Sequence, residues 1–426
     1  MFGNKIECNL KIGQKMENKH FEANLLHAPY QSPDVYNALS MPVYNSNAFA
    51  FETAEAMEDA FLGRSTDNTY SRITNPTVQY FESRVRTVTG AASVTALNSG
   101  MAAINNIFMN IAYAGGNVVT SSHLFGNTYS FLKSTLAAFG VEIRFCDLTN
   151  PDEVRANIDN NTFAVFLEII TNPQLEVVDL KAVSYVAHAA GVPLIADTTI
   201  MPFCAFSAKS FGIDIEAVSS TKYISGGATS LGGLILDYGT FDWSKSKMLS
   251  TWVGDNSKMA FTSRLRKEVH RNIGAYMTPQ VAYMQTLGLE TLSVRFNRQA
   301  ATCLELAKHL QTLDAIVSVN YTGLEDNPYY ELSKAQFGEY PGAMLTFDLA
   351  SRDACFAFLN KLKLIHRATN LFDNRSLIIH PASTIYATFT EEQRISMDVS
   401  QKTIRLSVGL ESVDDLLADI KQALGC

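Results

Sequence analysis

Short apolar runs rich in β-branched residues recur through the middle of the chain, at 117–121, 141–146, 162–170, 192–198, 214–219 and 231–237. They are continuously apolar rather than alternating, the pattern of strands covered on both faces. Amphipathic stretches with helical spacing separate several of them, at 76–89, 127–139 and 179–190. This strand–helix alternation predicts an α/β fold with a mostly parallel central sheet.

On either side the pattern changes. Residues 1–72 are polar and irregular, punctuated by Pro29, Pro33 and Pro42, and predict an arm that packs on another part of the assembly. Beyond the sheet region, one long helical pattern spans 279–312. Strands are predicted at 343–349, 377–380 and 403–408, and helices at 354–362 and 413–423. The chain therefore divides into an arm (1–72), a sheet domain (73–267) and a smaller C-terminal α+β domain (268–426).

Composition narrows the function. The 426 residues suffice for two or three domains, and 47% hydrophobic with 18% charged residues is a globular profile. A net charge of -8 without any Lys/Arg run argues against nucleic acid as a partner. The start of the chain mixes Lys5, Glu7, Lys11 and Lys15 with polar residues, and no apolar region of signal-peptide or membrane-spanning length follows. A cytoplasmic location without membrane contact is expected. The six cysteines form no C-x-x-C pair and the eight histidines show no ligand spacing, so no disulfide framework and no metal is expected.

The chemistry concentrates at strand ends. Lys222 in Ser219-Ser-Thr221-Lys222-Tyr follows a predicted strand and suits an imine to an aldehyde cofactor. Asp197 closes another apolar run. A buried carboxylate there needs a cation, and a protonated pyridine nitrogen is one; a helix N-cap is the alternative. Asn98-Ser99-Gly100-Met101 opens a helix, whose free N–H groups suit a phosphate.

Taken together, these segments resemble the Cys/Met-metabolism group of fold-type-I pyridoxal-phosphate (PLP) enzymes. The resemblance runs over nearly the whole chain. It is carried by Tyr70-Ser-Arg72-Ile-Thr-Asn-Pro-Thr77, Asn98-Ser-Gly-Met-Ala-Ala-Ile104, Thr171-Asn-Pro173, Ala196-Asp-Thr198, Ser219-Ser-Thr-Lys-Tyr223 and Ile404-Arg-Leu-Ser-Val-Gly409. The resemblance implies that Lys222 holds PLP as a Schiff base and shuttles protons, while Asp197 meets the pyridine nitrogen and Asn172 the phenolic oxygen. It implies a phosphate site of Gly100, Met101, Ser219 and Thr221, further cofactor contacts at Ser99 and Thr199, and Phe125 stacked on the ring. Tyr70, also a catalytic candidate, and Arg72 would reach that phosphate from a neighbouring subunit. That makes a dimer the least active unit and a dimer of dimers the expected homo-oligomer. Arg405 would grip the substrate α-carboxylate, assisted by Asn370.

Two features bear on which reaction is run. Most members of the group carry a tyrosine where this chain has Phe125, which keeps the stacking ring but lacks a proton-donating hydroxyl. A thiolate, from an acid of pKa about 8.5 or higher, gains from protonation as it leaves; acetate, from an acid near about 4, needs far less help. The segment 369–383 also resembles O-acetylhomoserine sulfhydrylases more than the synthase or lyase branches, although Phe372 stands where a glycine is usual and Ile385-Tyr386 replaces a common Thr-His. The resemblance thus implies γ-replacement of acetate on O-acetylhomoserine by sulfide or a thiol. Methionine γ-lyase or cystathionine γ-synthase or γ-lyase activity on the same scaffold is the alternative.

Overall fold

Strands whose side chains are apolar on both faces must be covered on both faces, and the computed structural model, which describes residues 20–28 and 36–425, shows how. Seven strands form the central sheet: β1 (Ser93–Leu97), β2 (Asn117–Thr120), β3 (Glu142–Phe145), β4 (Thr162–Glu168), β5 (Leu194–Asp197), β6 (Ile215–Val218) and β7 (Gly233–Asp237). Their order is β1-β7-β6-β5-β4-β2-β3. From β3 across to β6 neighbouring strands are parallel, and β7 runs antiparallel to both β6 and β1. Along β4, Phe166 faces a core with Phe108, Phe131 and Phe261, while Val165 and Leu167 face the opposite core. Strand β1 was not among the predicted runs; polar Ser93 and Thr95 interrupt its apolar pattern although four of its five residues are buried.

A second sheet contains β8 (Ser318–Asn320), β9 (Met344–Asp348), β10 (His366–Arg367), β11 (Leu377–Ile379) and β12 (Thr403–Ser407), in the order β10-β11-β12-β9-β8. It shares a continuous apolar core with one face of the central sheet.

Three predicted elements differ. The stretch 127–139 is not one α-helix but an α-turn Gly126–Ser130 followed by a π-helix Phe131–Leu136 and a 3₁₀ turn Ala137–Phe139. The 279–312 helix is two helices, Pro279–Glu290 and Leu292–Leu310, broken at Thr291, whose backbone leaves the helical region at φ -109, ψ 10. Buried Arg295 ties the break together: its Nε donates to Thr291 Oγ1 at 3.0 Å and its Nη2 to Gly288 O at 2.5 Å. Within the expected arm, Ala54–Leu62 forms an α-helix capped by the Thr53 hydroxyl and by Gly63 at φ 73. None of that helix's residues is buried. Residues 1–19 and 29–35 of the arm, with Pro29 and Pro33, lie outside the described residues. Among the described residues no helix is long and apolar enough to cross a membrane.

Gly288 determines how the Pro279–Glu290 helix meets the turn that carries Lys222. A Cβ there would lie 2.1 Å from Ile224 O, so only glycine lets the helix axis approach this closely.

Candidate active site

Parallel strands end on one edge of the sheet, and a cavity opens where β4, β5 and β6 finish, as expected for this architecture. Its volume is about 440 Å³. Glu168 and Asp197 are the last residues of β4 and β5 and stand opposite each other in register. Ser219 and Lys222 follow β6, and Arg405 enters from β12 of the second sheet.

Ten expected residues line this cavity together: Gly100, Met101, Phe125, Asn172, Asp197, Thr199, Ser219, Lys222, Asn370 and Arg405. Lys222 Nζ donates to Asn370 Oδ1 at 2.6 Å. Its amine is lowered to about 8, chiefly by burial and next by the Arg405 charge, with Asp197 opposing. Burial lifts the Asp197 carboxyl above the ordinary range, against hydrogen bonds from Thr199 and the Lys222 charge; Thr199 N donates to Asp197 Oδ1 at 2.9 Å. Thr199 Oγ1 in turn accepts from Ser219 N at 2.8 Å, joining the ends of β5 and β6.

Arg405 is 3% exposed, and burial lowers its guanidinium to about 10. Its Nη1 donates to Asn172 Oδ1 at 3.0 Å and its Nη2 to Asn370 O at 3.4 Å. Its Nε has no partner among the described residues. A buried cation with an unsatisfied N–H is arranged to receive a carboxylate.

Four expected residues do not line the cavity. Ser99 caps the helix Gly100–Ile111, accepting from Ala102 N at 3.1 Å. The Thr221 hydroxyl is occupied by Gly232, donating to its carbonyl at 3.1 Å and accepting from its N–H at 3.0 Å. Tyr70 is 43% exposed, with Arg72 over its ring at 5.4 Å and Arg72 Nη1 donating to Arg271 O at 2.5 Å. Both line a separate, smaller hollow of the same chain.

Glu168 was missed by sequence reasoning. A carboxylate inside the apolar run Phe166-Leu-Glu168-Ile-Ile170 is the signal that could have found it. Its Oε1 accepts from Phe125 N at 2.6 Å and it also accepts from the Asn172 backbone, so it holds two cavity residues. Burial, then the Asp197 charge, pushes its carboxyl well above the usual range. Tyr386 is another: fully buried, it shares its hydroxyl between Leu124 O and Asn172 O, 3.0 Å each, and so pins the same two loops.

The donor set fits PLP. A buried amine of lowered basicity lies in one cavity with a buried carboxylate suited to a ring cation, an aromatic wall at Phe125, and a helix start at Gly100 and Met101 beside Ser219. The cradle depends on Gly100, where a Cβ would lie 2.6 Å from Ser219 Cβ and 3.0 Å from its Cα. Gly100→Ala must push the helix start away from Ser219. We expect cofactor affinity to fall about ten- to a hundredfold, the loss of one or two charge-assisted hydrogen bonds, read by titrating PLP into cofactor-free protein. Unchanged affinity would remove the helix start from the phosphate site.

Comparison with known proteins agrees with this geometry. The profile of the Cys/Met metabolism PLP-dependent enzyme family matches residues 22–425. The chain is 34% identical over 420 residues to O-acetyl-L-homoserine sulfhydrylase of Corynebacterium glutamicum, covering 94% of this chain and 96% of that protein. It is 34% identical over 432 residues to homocysteine synthase of Schizosaccharomyces pombe, covering 96% and 99%. Among solved structures, an O-acetylhomoserine (thiol)-lyase of Campylobacter jejuni with N'-pyridoxyl-lysine-5'-monophosphate superposes with a TM-score of 0.91 at 32% identity. The match covers 96% of this chain and all of the other.

Proposed function

The chain belongs to the Cys/Met-metabolism family of PLP-dependent enzymes, and from that premise we propose that it catalyses γ-replacement on O-acetylhomoserine. Sulfide or methanethiol would replace acetate, giving homocysteine or methionine. The carrying observation is the cavity wall: among the described residues its lining includes no Tyr, His or Cys, and Phe125 stands where a phenol would be the proton donor. The neighbouring phenol, Tyr386, spends its hydroxyl on two backbone carbonyls. With Lys222 engaged at Cα, such a wall offers a departing thiolate no phenol, imidazole or thiol, whereas acetate needs far less help. The names of the relatives point the same way.

The cofactor, when bound, supplies an electron sink for the pair released at Cα. Arg405 binds the α-carboxylate with its fork, and Asn370 stands beside it. Asp197 would keep the ring nitrogen protonated, and Phe125 would offer its face to the ring. Lys222, lowered to about 8, exists partly as the free amine near neutral pH and so takes the Cα proton and returns one.

Tyr70 and Arg72 serve the phosphate of a neighbouring copy, in a homo-oligomer built from dimers. Residues 73–267 hold the cofactor and 268–426 the substrate. The unpaired thiols of Cys146, Cys204, Cys303 and Cys355 suit the expected cytoplasmic location.

Product analysis with O-acetylhomoserine tests the reaction: homocysteine and acetate with sulfide, and little 2-oxobutyrate without it. Phe125→Tyr then tests the leaving-group argument. It should raise kcat/KM for methionine or cystathionine cleavage by up to about 10²-fold, the lower range of general acid assistance, and barely alter acetate replacement. A wild-type protein that cleaves methionine faster than it converts O-acetylhomoserine would overturn the assignment.

A further inference from the structure

Phe372 occupies a backbone position that glycine would hold more easily. Its φ is 57, in the left-handed region where a Cβ is costly, yet its ring is 1% exposed and part of the residue lines the cavity. A disfavoured conformation persists only where the surroundings enforce it. Here the ring lies flat on Tyr223, with centroids 4.1 Å apart and planes 9° from parallel, and Phe372 N donates to Ser407 Oγ at 2.7 Å.

Tyr223 directly follows Lys222, and its own hydroxyl accepts from Ala343 N at 3.1 Å, so it is fixed to the second sheet. The segment around Phe372 meets the Lys222 turn at four positions, 370, 372, 374 and 375. Asn370 Oδ1 accepts from Lys222 Nζ, Asn374 Nδ2 donates to Gly226 O at 2.9 Å, and Arg375 Nη2 donates to Gly227 O at 3.3 Å. The stack is the apolar centre of this series. Two residues before it, the Asn370 carbonyl receives Arg405 Nη2.

We infer that Phe372 is a positioning residue: stacked on Tyr223, it docks the 369–375 segment onto the Lys222 turn and thereby sets Asn370 and Arg405 for the amino-acid end of the substrate. The inference rests on the amino-acid site of the proposed function. It is independent of which ester is converted.

The test uses the full-length, PLP-loaded protein and L-norvaline, an amino acid with no leaving group, titrated through the visible absorbance of the cofactor. A failed O-acetylhomoserine assay and a failed norvaline titration are then separate results. Phe372→Leu should weaken norvaline binding about three- to tenfold, the worth of an aromatic pair, and Phe372→Tyr, which keeps the stack, should stay within about twofold of wild type. Phe296→Leu is the control. Phe296 meets Tyr223 edge-on at 5.5 Å and 81° and is buried away from the cavity, so its loss should lower the melting temperature and leave norvaline affinity unchanged. If Phe372→Leu does not accumulate as folded protein, Phe372→Met is titrated with the same expectation. Wild-type affinity in the ring-less variant, or equal weakening by Phe296→Leu, overturns the inference.

Discussion

Lys222→Ala should lose turnover by more than about 10⁴-fold, the upper end of what one positioned general base supplies, if the same amine also anchors the cofactor as proposed. The side chain sits at the end of the sheet with Nζ 2.6 Å from Asn370 Oδ1, and burial lowers its amine to about 8. Among the described residues no other lysine lines the cavity to take its place. Borohydride reduction followed by mass spectrometry should find a pyridoxyl group on the wild-type chain at Lys222 and none on the variant. Near-normal turnover, or a pyridoxyl group on another lysine, would refute the assignment. The variant also tests the shared site. Mixed with Arg72→Ala under conditions of subunit exchange, it should recover activity, since one site of each hybrid dimer would hold both native residues. Failure to recover would mean that Tyr70 and Arg72 act within their own chain.

Arg405→Leu should lower kcat/KM for O-acetylhomoserine by about 10²- to 10⁴-fold, mainly through KM. The substrate carboxylate would then enter a buried site with no cation, a loss of roughly 3–5 kcal/mol when one partner of such a pair is removed. Arg405→Lys should recover only part of this, because a point charge cannot reproduce the fork that spans Asn172 Oδ1 and Asn370 O while presenting Nε. PLP occupancy, read from the visible band, should stay near that of wild type in both variants, since no phosphate or ring contact is assigned to Arg405. Loss of the cofactor along with activity would show that Arg405 supports the cofactor rather than the substrate.

Much of the site was legible because its signals are local. Lys222, Asp197 and Gly100 each sit at the boundary of an apolar run or a helix, and a parallel sheet collects the ends of such runs on one edge. All five parallel strands, β2 to β6, lie inside the apolar stretches read from the sequence, since most of their residues are buried and apolar. In β1, where Ser93 and Thr95 alternate with apolar residues, the pattern is silent. The helix break at Thr291 is silent too: it depends on Arg295 reaching back to Gly288 and Thr291 rather than on any helix-breaking residue.

The sequence by itself determined the family chemistry: which residue offers the amine, which the carboxylate, and which the guanidinium. Tertiary structure alone decided how those groups are held. Glu168 at the end of β4 restrains Phe125, which follows β2, Thr221 turns its hydroxyl to Gly232, and Phe372 accepts a left-handed backbone to stack on Tyr223. The physical reason is range. A residue's chemical type and its local backbone preference are written in a few neighbouring positions. Its hydrogen-bond partner, its desolvation and the strain it carries depend on residues up to more than two hundred positions away, such as Asn172 and Arg405, which meet only once both sheets are packed.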